Sequence, residues 1–250
     1  MGSTRIDKKI RKKKLGLIII IFLLLLATFI VLLTLTDVFN VKKINILGNN
    51  KIEEKKILLA SGVNIGENIF KINTNIIEKN LLLHPYIKSI KVDRKLPSTL
   101  IINITEKKEL LAIEYIGSYI YLDDEGKILS ILADSKHKDV PFVTGLKVEK
   151  ANVDEKIVLS DYKIDDISVL AKICKLNGIY SELLKIEFIK DKKIRLYMKA
   201  GTKVALNDLN NVKYKLSFVK SMLSDLKQRN ENSGTIRFDK GDNPIYVKGQ

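Results

Sequence analysis

The chain has 250 residues, 46% of them hydrophobic, a single cysteine and a formal net charge of +15. That length is enough for one or two domains with cores of their own, so the fold does not need disulfides or metals to hold it together. One thiol, Cys174, excludes an intramolecular disulfide framework, a zinc ribbon and an iron–sulfur cluster held by protein thiolates.

Residues 15–36 read LGLIIIIFLLLLATFIVLLTLT, an uncharged run of 22 residues. As a helix rising about 1.5 Å per residue it covers the roughly 30 Å hydrocarbon core of a bilayer, which predicts a transmembrane helix. A cleaved signal peptide fits less well, because its apolar run is usually about 7–15 residues and no A-x-A-like site follows here. The segment is therefore expected to stay in the mature protein. Ahead of it stand Arg5, Lys8, Lys9, Arg11, Lys12, Lys13 and Lys14, opposed only by Asp7. The positive-inside rule makes residues 1–14 a basic cytoplasmic tail and places the chain from Asp37 onward outside the cytoplasm. Lys42 and Lys43 beyond the apolar run count little against this, since long downstream domains are translocated largely regardless of charge.

With the tail set aside, 37 basic and 28 acidic residues remain, a surplus of +9. Neither a groove-reading helix nor a basic stripe with base-stacking aromatics is apparent, so no nucleic-acid partner is expected. A mildly basic external surface suits weak contact with anionic wall polymer or lipid, or is simply a solvated face.

The first external segment alternates apolar and polar residues, with Ile44 and Ile46 set against Lys43 and Asn45, and predicts a strand ended by Gly48. In NNKIEEKKILLASG, Asn50 with Glu53 three residues on gives a capping-box variant, and Gly62 supplies the left-handed stop. A second helix is capped by Asn75 with Glu78 and stops ahead of Pro85. Two further strands follow, one carrying Ile90 and Val92, the other Leu100, Ile102 and Ile104, joined by the Pro-marked RKLPST turn.

This β-α-α-β-β order close behind a spanning helix resembles the POTRA domain of the FtsQ/DivIB cell-division family. The matching positions are Val41, Ile44 and Gly48 in the first strand, Pro85 after the second helix, Val92 and Arg94 in the next strand, and Pro97 and Glu106 around the last. Of the Pro and Ala that often follow that Glu in the family, only Ala112 is present. The POTRA domain is expected over residues 37–107.

Beyond it, Tyr119 and Tyr121 alternate with Ile120 and Leu122, and DDEG leads into KILSIL, which predicts a hairpin. Asp123, Asp124 and Glu125 read as an ordinary exposed turn rather than a cation site. VPFVTGL, residues 140–146, resembles the family's Pro-and-Gly segment before the next helix. In that helix Ile167, Leu170, Ala171 and Cys174 share one stripe ending at Gly178, which makes Cys174 a core residue. Ile186 and Phe188 mark one strand, and Ile194, Leu196 and Met198 mark another across the KDKK turn. A strand at residues 203–206 precedes a helix with Val212, Leu216, Val219, Leu223 and Leu226 on one side, and GTIRFDKGDNPIYVK closes the chain as two short strands. GTKVALND, the Lys-bearing helix and GTIRFD resemble the family's C-terminal run, with Ile236-Arg237 in place of the usual Ile-Asp and Asn207 in place of a Gly. The expected fold is α+β: a transmembrane helix, the POTRA domain, then a mixed α/β domain over residues 108–250 dominated by an antiparallel sheet.

Enzyme chemistry finds no support in this pattern. His84 precedes the helix-ending Pro and His137 lies in a polar DSKHKD loop, neither beside a nucleophile nor at metal-ligand spacing. Phosphate-cradling Gly motifs are absent, and Asp165 and Asp166 read as helix-start residues favoured by the dipole. No catalytic residue, cofactor or metal site is expected. What the resemblance implies is a membrane-anchored scaffold at the division septum that helps control septal peptidoglycan synthesis, with FtsL-like and FtsB/DivIC-like single-pass partners docking on the second domain. A terminal strand leaves backbone groups that a partner strand can extend, which selects Thr235, Ile236, Arg237 and Phe238, with Ile245, Tyr246 and Val247 beside them, as the docking residues. The rival readings are a POTRA-containing assembly or transport accessory protein and a membrane-anchored wall hydrolase.

Overall fold

The structure, a computed structural model, describes residues 5–133, 140–231, 233–238 and 241–249. The chain divides into two compact units, Met1–Glu106 and Lys107–Gln250.

The first unit opens with α1, Arg5–Leu35. Its segment Lys12–Leu32 has a mean hydropathy of 3.3 and is long and apolar enough to cross a membrane. Then come β1 (Lys43–Leu47), α2 (Glu54–Ser61), α3 (Thr74–Leu82), β2 (Ile87–Lys95) and β3 (Thr99–Glu106), the β-α-α-β-β order read from the sequence. The central strand β3 runs parallel to β1 and antiparallel to β2. Leu100, Ile102 and Ile104 alternate inward from β3 and share a core with Ile57 of α2 and with Ile77 and Leu81 of α3. Gly48 turns the chain at φ +84°, where a Cβ would collide with the carbonyl oxygen of Ile104, so only glycine fits.

Both expected capping boxes are corrected. α2 is preceded by Glu53, which makes no side-chain cap, and α3 is capped by Asn73, whose side chain accepts the N–H of Asn75. Asn50 is not a cap because α2 starts only at Glu54, and its N–H donates instead to Glu106, while Glu78 does not close a box because its carboxylate accepts the N–H of Val92 at 2.8 Å. In each case a carboxylate satisfies a strand or loop distant in sequence. Gly62 does supply the left-handed stop, at φ +67°.

The second unit contains β4 (Leu111–Tyr115), β5 (Ser118–Leu122), β6 (Ile128–Leu132), β7 (Phe142–Thr144), β8 (Val148–Lys150), β9 (Val158–Leu159), α4 (Ile164–Leu176), β10 (Leu183–Phe188), β11 (Ile194–Met198), β12 (Lys203–Leu206), α5 (Val212–Gln228), β13 (Gly234–Arg237) and β14 (Ile245–Lys248). Among the described residues nine of these strands form one sheet in the order β14-β13-β12-β11-β10-β7-β4-β5-β6, and β8 pairs with β9 apart from it. Five of its eight pairings are antiparallel, so the expected antiparallel character dominates. The parallel ones set β7 between β4 and β10 and bring β13 against β12 across α5. α4 and α5 share one core with this sheet: Ile167, Leu170, Cys174, Leu216 and Val219 pack with Ile113, Ile186, Leu196, Val204 and Ile236. Asp123 departs from the expected exposed turn. It is buried, and its Oδ1 accepts the N–H groups of Glu125 and Lys127, both at 2.9 Å, because this tight turn needs an acceptor for them.

Candidate partner-binding site

Among the described residues β14 pairs on one side only, with β13, in the register Thr235↔Val247, Ile236↔Tyr246 and Arg237↔Ile245. The Gly249 N–H donates to the Ser233 carbonyl oxygen at 2.9 Å and continues the ladder. Hydrogen-bonded pairs alternate along an antiparallel ladder, so 233/249, 235/247 and 237/245 exchange bonds, while Tyr246 and Lys248 direct their N–H and C=O groups away from β13. β14 is therefore the open edge. The opposite edge, β6, is covered at its start: the Ile128 N–H donates to Glu155 and its carbonyl accepts from Asp154.

The seven expected docking residues fall into different places. Ile236 and Phe238 are buried core residues, and Tyr246 packs on the same core. Thr235 and Arg237 lie one strand inside the edge, on the face opposite Ile236. Ile245 and Val247 share that face at the edge itself, 52% and 44% exposed. Gly234 makes room for this arrangement, since a Cβ there would meet the Tyr246 ring. Asn207, where the family more often has Gly, donates its side-chain amide to the Phe238 carbonyl oxygen at 3.0 Å and holds the end of β13.

The sequence reading missed the row of side chains that continues from the edge across the outer face: Lys203 opposite Thr235, then Tyr197, then Lys185. The Lys185 ammonium sits 4.3 Å from the centre of the Tyr197 ring. The Tyr197 hydroxyl donates to Glu187 at 2.6 Å, which with Arg195 nearby holds the Glu187 carboxyl below its ordinary range. The signal was the polar half of each strand's alternation, which reading for core residues passes over.

Lys215 also went unremarked. It is 5% exposed, and its ammonium lies 2.9 Å from Asp208 and 3.6 Å from Asp242. It thereby ties the first turn of α5 to the loop before β14.

Cys174 is fully buried, and burial pushes its thiol up to about 12, so it is inert as a nucleophile. His84 accepts the Tyr86 N–H on Nδ1 at 3.2 Å; burial lowers its pKa, with Glu106 opposing. His137 lies outside the described residues. Among the described residues no group of three or more His, Cys, Asp or Glu is placed to hold a metal ion. Of the N-terminal cations, Lys12, Lys13 and Lys14 are exposed on α1, and the side chains of Arg5, Lys8, Lys9 and Arg11 lie outside the described set.

An apolar N-terminal helix, a small β-α-α-β-β module and a sheet-rich second unit define an anchored POTRA protein. Residues 39–107 match the family model described as the POTRA domain, FtsQ-type. The cell division protein DivIB of Clostridium botulinum is 23% identical over 242 residues, 95% of this chain and 93% of that protein. DivIB of Clostridium tetani is 30% identical over 135 residues, 54% of this chain and 51% of that protein. The cell division protein FtsQ of Geobacter sp. is 24% identical over 220 residues, 87% of this chain and 79% of that protein. Residues 39–107 thus carry a POTRA domain of the FtsQ type, and over most of its length the chain is similar to the cell-division proteins DivIB and FtsQ.

Proposed function

We propose that the protein is a non-enzymatic, membrane-tethered division scaffold whose β14 edge accepts a strand from FtsL-like or FtsB/DivIC-like single-pass partners, and so contributes to control of septal peptidoglycan synthesis. α1 crosses the membrane with residues 1–14 in the cytoplasm, and the POTRA and sheet units work outside it. The observation that carries this reading is the pair of outward N–H and C=O sets on Tyr246 and Lys248 at an uncovered edge. An incoming strand would gain main-chain hydrogen bonds there, while Ile245 and Val247 offer apolar contact on one face.

Lys248→Pro tests it cleanly. Proline removes an N–H that faces away from β13 and is tolerated on the outer side of an edge strand, so the inner ladder survives. Co-purification of an FtsB/DivIC-like partner with the full-length variant is expected to fall at least tenfold while its circular dichroism is unchanged. Undiminished co-purification by a folded Lys248→Pro protein rejects strand addition at β14.

A further inference from the structure

At the end of the first unit where the chain leaves α1, the structure carries a second surface that the β14 edge does not use. Only seven residues separate Leu35 from Lys43, the first residue of β1. β3 runs parallel to β1 and β2 antiparallel to it, so the start of β1, the turn at 96–98 and Lys95 share one end of the sheet. The Lys42 N–H donates to the Ser98 carbonyl oxygen at 2.8 Å, and Thr99 is in register with both Lys43 and Lys95. The loop between α2 and α3 is fastened to the same end. Val41 donates to Glu67 and Ile69 to Phe39, both at 2.8 Å, while the Arg94 guanidinium donates to the carbonyls of Ile69 and Ile72 at 2.9 and 2.6 Å.

Lys42, Lys43, Lys71 and Lys95 are exposed there, with no carboxylate within ion-pair distance among the described residues. Interleaved with them are four large apolar side chains, also exposed: Val38, Ile65, Phe70 and Leu96. Asp37 and Glu67 are the acids of this end, so with Arg94 the cations outnumber them five to two. A merely solvated face explains lysines but not lysines mixed with exposed apolar groups on the end that the chain itself delivers to α1. Long cationic side chains around an apolar patch are the composition of an interfacial surface.

We propose that this end of the first unit seats on the anionic phospholipid headgroups surrounding α1, with the four lysines on lipid phosphates and Val38, Ile65, Phe70 and Leu96 at the headgroup boundary. The inference rests on α1 crossing a bilayer. Because α1 holds the surface within reach of the lipid, a contact too weak to bind membranes alone suffices to fix the orientation of the unit.

The test uses the full chain reconstituted into phosphatidylcholine vesicles with and without phosphatidylglycerol. A fluorophore on Leu96→Cys reports proximity to a headgroup quencher, one on Lys88→Cys at the far end of β2 serves as reference, and the buried Cys174 does not take the label. Phosphatidylglycerol is expected to increase quenching at Leu96 and not at Lys88. Each of Lys42, Lys43, Lys71 and Lys95 replaced by Gln is expected to weaken seating about fivefold, and high salt to abolish it. Quenching at Leu96 that ignores both phosphatidylglycerol and the four replacements reflects the tether alone and overturns the proposal, as does equal quenching at Lys88. Extraction of the whole chain from vesicles by alkali overturns the spanning helix instead, a distinguishable failure.

Discussion

The Glu106 carboxylate accepts three successive backbone N–H groups, from Asn50 and Ile52 at 3.0 Å and from Lys51 at 2.9 Å, and so joins the end of β3 to the loop after β1. Burial alone would raise its pKa, but the donors Lys51, Asn50 and Ile52, with His84 adding attraction, more than offset that and hold it below the ordinary 4.5. Glu106→Gln keeps the shape and loses the charge. It is expected to cost the first unit about 1–3 kcal/mol in urea unfolding. The pH dependence follows from two depressed values. His84, lowered from 6.5 chiefly by burial, contributes stability above 6.5 that is lost as pH falls through its folded value. Glu106 contributes stability above 4.5 that is lost in turn as pH falls through its own. Unfolding of the first unit monitored across that range is expected to show both stages in the native protein and a diminished lower stage, with the upper one kept, in Glu106→Gln. Glu106 was legible as a family position, yet not its work, because its partners lie more than fifty residues away.

α5 lies between β12 and β13 and is anchored at its start by Lys215, the buried cation between Asp208 and Asp242. Lys215→Met keeps the packed stem but leaves two carboxylates facing each other without a cation. The expected loss is about 1–3 kcal/mol. Amide exchange in β13 and β14 is expected to accelerate more than in β4 and β5, which hydrogen-exchange mass spectrometry would read. The elements themselves were largely visible in the sequence. Alternation located β1, β2, β3, β5, β10 and β11, and the apolar stripes located α4 and α5, because periodicity records which side of an element is buried. Pairing order was not visible: nothing in FVT places β7 between β4 and β10, since alternation says in or out and not beside whom. Capping failed for a related reason. Asn50-x-x-Glu53 and Asn75-x-x-Glu78 are local patterns, blind to Glu106 and to the Val92 N–H that engage these residues from elsewhere. The terminal strand was legible as an edge candidate, but which of the two last strands is outermost depended on β13 returning parallel to β12.

The whole molecule couples a basic tail and one apolar helix to two units with separate cores. Orientation is the property on which the scaffold reading turns, since partners outside the cytoplasm meet β14 only if the tail lies inside. Fusing alkaline phosphatase to the C-terminus is expected to give an active enzyme, and a fluorescent protein that matures only in the cytosol is expected to stay dark. Replacing Arg5, Lys8, Lys9, Arg11, Lys12, Lys13 and Lys14 by Gln is expected to reduce the phosphatase signal. The central claim, that β14 receives a partner strand, is tested most directly by amide exchange of the full chain with and without an FtsB/DivIC-like partner. Exchange at Tyr246 and Lys248 is predicted to slow at least tenfold on binding, with little change at Val247, whose N–H already serves β13. Binding that leaves Tyr246 and Lys248 exchanging at their free rates would contradict it.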